Sequence, residues 1–118
     1  MTLARLLPFH IHGAIEAGLA LAVMAAPFLL GFELPAAVAS VAIGALLLTV
    51  ALATHATEER ALPISTHAAF DVGFAVAMAL AAVAFGLAGD FAATAFLGLG
   101  AIALTTLTSV TRYSSSHA

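Results

Sequence analysis

Between Glu16 and Glu33, between Asp71 and Asp90, and between Asp90 and Arg112 the chain carries no charged residue, and the run from Ala36 to Thr54 carries none either. A helix needs about 20 mostly apolar residues to cross a hydrocarbon layer of roughly 30 Å. Four segments reach that length, at about 10–31, 36–55, 66–89 and 91–110. With 64% hydrophobic residues, 8% charged residues and no lysine, a water-soluble fold would lack the polar surface to cover itself. The first segment is not expected to be a secretory signal. His10, His12 and Glu16 interrupt it where an unbroken apolar region is required, and the similar segment at 66–89 lies where no signal can.

The links between the segments are short. Phe32-Glu33-Leu34-Pro35 closes the first pair, Gly86 to Asp90 the second, and His55 to Pro63 joins them as the one strongly polar loop. Short links make successive helices antiparallel, so the expected fold is an all-α four-helix transmembrane bundle of two tandem hairpins, a single domain over 1–118. Arg5, Arg60 and Arg112 then share one side, while Glu33 and Asp90 lie on the other. The positive-inside rule places both termini in the cytoplasm, with a bacterial inner membrane as the expected location.

The hairpins are two copies of one sequence pattern, about 5–55 and 60–111. Arg5, Leu7, Pro8, His12, Gly18 and Gly31 meet their own residue type 55 positions on, at Arg60, Leu62, Pro63, His67, Gly73 and Gly86. After one inserted residue, Gly44, Ala45, Leu48 and Thr49 match Gly100, Ala101, Leu104 and Thr105. Because each copy crosses twice, the halves run parallel about a pseudo-twofold axis along the membrane normal. Lipid tails give apolar helices no hydrophobic reason to associate, so small residues should make the contacts. Gly18, Gly73, Gly44 and Gly100 are the expected points of close approach. Pro27 removes an amide donor inside the first helix and predicts a kink near Val23 to Pro27, which its counterpart Ala82 does not. Alanine-rich helices with limited mutual contact also predict lipid contact, and self-association or entry into a larger membrane complex.

The stretch Gly18-Leu-Ala-Leu-Ala-Val-Met-Ala-Ala-Pro27-Phe28-Leu-Leu-Gly31-Phe32 resembles the signature of SPW-repeat membrane proteins, and the Pro-led Pro63-Ile-Ser-Thr-His67-Ala-Ala-Phe-Asp71 resembles the segment that opens each hairpin in their relatives. Phe28 stands where tryptophan is usual, Ala26 where serine is, and the second copy, Ala81-Ala82-Val83, lacks the motif. The resemblance implies paired transmembrane helices and brings no activity or functional residue with it.

Chemistry is confined to the ionisable groups that recur in both copies, His12 and Glu16, His67 and Asp71. Residues four apart share a helix face, so each histidine can reach its own carboxylate. In one reading each pair is a self-contained helix lock in an accessory or oligomer-forming structural component. In a second, the first and third helices face one another and the four residues form a ligand set for zinc, iron or manganese. Haem is a variant of the second, with His12, His55 and His67 as axial candidates in a redox membrane protein. A third reading is a small proton-coupled transporter using Glu16, for which only Phe9 and Phe70 could furnish an aromatic cage. No catalytic constellation accompanies Ser40 or Ser65, so an enzyme is not expected. There is no cysteine, hence no thiolate site. Three arginines do not hold nucleic acid at physiological salt.

Overall fold

A computed structural model describes residues 7–55 and 63–111, apart from the side chains of residues 55 and 64. It contains four helices, α1 (Phe9–Leu30), α2 (Leu34–His55), α3 (Ile64–Leu87) and α4 (Phe91–Val110). At 1.5 Å per residue, such helices of 20 to 24 residues are about 30–36 Å long. All four are long and apolar enough to cross a membrane. Their outer faces carry large apolar side chains such as Phe28, Leu29, Leu87 and Phe91, which are more than 70% exposed and suit a lipid solvent rather than water.

The ends differ from the expected boundaries by one or two residues, each time for a local reason. Pro8 and Pro63 cap α1 and α3 with nearly identical extended backbones, φ −64° and ψ 150° against φ −63° and ψ 152°. Gly31 stops α1 in the left-handed region at φ 70°, its amide bonded to Pro27 O. α2 starts at Leu34, because Pro35 in the first turn lacks only an amide that a helix start leaves unpaired. α3 stops at Leu87, and Gly89 turns the chain at φ 90°.

α1 packs along α2 and α3 along α4, as two hairpins. The hairpins touch through α2 with α3 and α1 with α4, around a core of Ala20, Val23, Leu47, Met78, Leu97 and Leu104. Among the described residues, no Cα of α1 comes within 8 Å of one in α3. These two helices face each other across the bundle and meet only through side chains.

Two of the four expected glycine contacts are present. A Cβ on Gly44 would lie 2.8 Å from Ala20 O, and one on Gly100 would lie 3.2 Å from Met78 Sδ. Gly18 and Gly73 are a correction. Both are exposed, with nothing within 4 Å of a Cβ, because the helix rotation that turns Glu16 and Asp71 inward turns residues two positions later outward. The proline in α1 has a specific answer in α2. Val23 O, four residues before Pro27, has no amide partner in its own helix, and Ser40 donates its hydroxyl to it at 2.6 Å. Ser40 is thus a structural donor.

At the turn end, Asp90 caps α4 by accepting from Ala93 N at 3.2 Å. Its other oxygen accepts from Glu33 N at 2.7 Å, so one carboxylate ties the two hairpin turns together.

Candidate metal centre

Both odd-numbered helices start the same way, and this places the site. His12 N donates to Pro8 O at 3.1 Å and His67 N to Pro63 O at 3.0 Å. Each imidazole therefore stands at the fourth residue of its helix and a carboxylate one turn further in. At the same end, Leu7 N donates to Val110 O at 2.8 Å, which draws the start of α1 against the end of α4.

His12, Glu16, His67 and Asp71 converge and are fully buried. Within a helix, His12 Nε2 lies 3.3 Å from Glu16 Oε2, and His67 Nε2 lies 3.2 Å from Asp71 Oδ2. Across the bundle the approaches are shorter, with His12 Nε2 2.9 Å from Asp71 Oδ2 and His67 Nε2 2.7 Å from Glu16 Oε1. The pairs are not self-contained. Each histidine leans on the other helix's carboxylate, and one ligand atom from each of the four residues lies within 4.8 Å of all the others. Neither Glu16 oxygen takes part in a well-aligned hydrogen bond despite its burial. The ring of Phe9 closes the site, stacked on His12 at 5.7 Å and edge-on to His67 at 5.3 Å.

Two residues not singled out in the sequence complete the centre. Thr54, at the end of α2, lies 2.8 Å from His67 Nδ1, and Thr111, capping α4, lies 2.7 Å from His12 Nδ1. Both are fully buried. Each hydroxyl also donates to the carbonyl four residues earlier, Val50 O and Leu107 O. Their signal in the sequence is faint. Each copy ends its second helix on a threonine, but one position out of the register that aligns Thr49 with Thr105.

The donor set is of the kind a single small cation takes, but its atoms stand at hydrogen-bond distances and would have to shift by several tenths of an ångström to coordinate one. Tetrahedral zinc with bonds of about 2.0–2.2 Å to nitrogen and oxygen has ligand-to-ligand edges of roughly 3.3–3.6 Å. The four nitrogen-to-oxygen contacts here run from 2.7 to 3.3 Å, closer than those edges, while the four ligand atoms lie within 4.8 Å of one another. A haem held between His12 and His67 does not fit, since the carboxylates of Glu16 and Asp71 occupy the space a porphyrin would need. The side chain of His55, the third axial candidate, lies outside the described residues. Of the two aromatic candidates for a cation cage, Phe9 is at the site, whereas Phe70 is 45% exposed and stacks on Phe74. No protein-family profile matches the chain, and neither a curated protein nor a solved structure does.

Proposed function

We propose that this is an integral membrane protein that binds one divalent transition metal ion through His12, Glu16, His67 and Asp71. The convergence of two imidazole nitrogens and two carboxylate oxygens within 4.8 Å carries the reading. Charge balance supports it. Two carboxylates buried at one point repel each other and lose their hydration, and a divalent cation offsets both charges at once. The set contains no thiolate, and imidazole with carboxylate suits zinc, iron and manganese.

Protein purified in mild detergent, analysed for bound metal beside Glu16→Gln and His67→Ala, tests the reading. One ion per chain is expected in the wild type and none in either variant. An absorption spectrum of the same sample separates zinc from iron and haem. Wild type without stoichiometric metal, with Glu16→Gln still assembled, overturns the proposal.

A second reading is supported by the reciprocal 2.9 and 2.7 Å contacts between α1 and α3. There the cluster is a metal-free lock in an accessory or self-associating structural component of a membrane assembly. Glu16→Gln keeps an acceptor for His67 and preserves assembly in that case, whereas Glu16→Leu loosens it.

The proposed orientation has the metal centre toward the cytoplasm of a bacterial inner membrane. Arg5, Arg60 and Arg112 flank the helix ends that carry the site. A reporter active only in the periplasm, fused after residue 118, should remain silent, and its activity would reverse the orientation.

A further inference from the structure

α2 and α4 contribute no ligand atom to the cluster, yet each sends a buried threonine to the far side of one of its imidazoles. We infer that Thr54 and Thr111 are positioning residues that fix the histidine tautomer, placing the hydrogen on Nδ1 and leaving the Nε2 lone pair to face the metal. The inference rests on the metal-binding reading and adds to it the residues that make the site competent.

A threonine hydroxyl has one hydrogen to give. At Thr111 that hydrogen is committed to Leu107 O, one of the last four carbonyls of α4, which have no amide partner further along the helix. The amide that would have served, Thr111 N, turns instead toward Thr108 O at 3.4 Å. At Thr54 the hydrogen goes to Val50 O at 2.8 Å. Each hydroxyl can then only accept from the imidazole, so Nδ1 of His12 and of His67 must be the donor. An imidazole whose Nδ1 carries the hydrogen in its neutral form holds its lone pair on Nε2, and Nε2 is the atom of both rings that faces Glu16 and Asp71. Without an ion His12 Nε2 hydrogen-bonds Asp71 Oδ2 at 2.9 Å, and a bound cation would take the place of that hydrogen. A metal-bound histidine ordinarily donates its other N–H to such an outer partner, which fixes the ring and strengthens the ligand.

The test uses full-length protein in detergent micelles with Zn²⁺ as the probe, its affinity measured by competition with a chromogenic chelator. Thr54→Val and Thr111→Val should each weaken Zn²⁺ binding about 10- to 100-fold. Thr54→Ser and Thr111→Ser, which keep the hydroxyl, should restore most of it, a recovery that mere packing would not give. In parallel, ¹⁵N-histidine spectra of the metal-free wild type should show hydrogen on Nδ1 of both residues. Valine variants that bind Zn²⁺ as tightly as wild type overturn the inference. So does a metal-free spectrum with bare Nδ1, a result available even if the valine variants do not fold. Wild type that binds no Zn²⁺ while its Nδ1 atoms are protonated refutes the metal reading and leaves the two threonines as anchors of the imidazoles.

Discussion

Replacing Ser40 by alanine removes a single oxygen from the middle of the bundle, and its cost should depend on a proline in another helix. Val23 O has no amide partner because residue 27 is proline, and both Val23 and Ser40 are fully buried. No water reaches this depth to substitute. An unpaired buried acceptor costs about 1–3 kcal/mol. In a membrane, however, the dissociated helices keep the same bare carbonyl, and measured interhelical bonds average about 0.6 and reach about 1.7 kcal/mol. Since the Ser40 bond is short and its acceptor has no alternative, we expect Ser40→Ala to cost about 1–1.5 kcal/mol, the upper part of that range. In a Pro27→Ala background the amide of residue 27 returns to Val23 O, and Ser40→Ala should then cost less than about 0.5 kcal/mol. The assay is a double-mutant cycle by denaturant titration in mixed micelles, read by a pair of fluorophores on introduced cysteines, which label uniquely because the chain has none of its own. A coupling energy within about 0.3 kcal/mol of zero would mean that Ser40 does not compensate for the proline.

Two further outcomes can be checked with the same titration. Gly44→Ala should destabilise by about 1–3 kcal/mol, because the new Cβ meets the backbone of α1. Gly18→Ala and Gly73→Ala should be neutral or gain up to about 1 kcal/mol from helix propensity, so equal effects at residues 18 and 44 would contradict the packing described. Asp90→Ala should lose about 0.5–2 kcal/mol as a helix cap, and more through its bond to the other turn. Asp90→Asn keeps one acceptor oxygen and should fall between the two, so an asparagine variant as unstable as the alanine one would discount the capping role.

The helices were legible because charge is absent over lengths that suit a membrane span, and the boundaries slipped only where a proline tolerates a helix start or a glycine ends one. His12, Glu16, His67 and Asp71 were legible as well, since polar groups stand out against an apolar background and recur at a fixed offset. Their partners were not legible. Spacing links His12 to Glu16 and His67 to Asp71, but the shorter contacts run between helices and depend on rotation about each axis, which a small-residue sequence with little amphipathic contrast does not fix. Gly18 and Gly44 look alike in the sequence and differ for the same reason. Thr54 and Thr111 gave only a faint signal because threonine is common in membrane helices, and its meaning emerges only when the end of one helix lies beside the start of another. Asp90 read as a turn residue, and its second bond exists only once the two turns meet.

The absence of backbone contact between α1 and α3 has a consequence for how the chain is made. Translation delivers α1 before α3 exists, so His12 and Glu16 arrive as half of an unfinished cluster, without the shorter contacts to Asp71 and His67 that the complete bundle provides. An ionisable residue at the centre of an isolated helix costs about 2.5–3.5 kcal/mol on insertion scales, and these two lie only one to two turns from the helix start, where the cost is less. The first hairpin is therefore inserted under strain that the second relieves. On the proposed metal reading both hairpins must be in place before an ion can be captured, and a chain truncated after α2 should be a quality-control substrate rather than a smaller working protein.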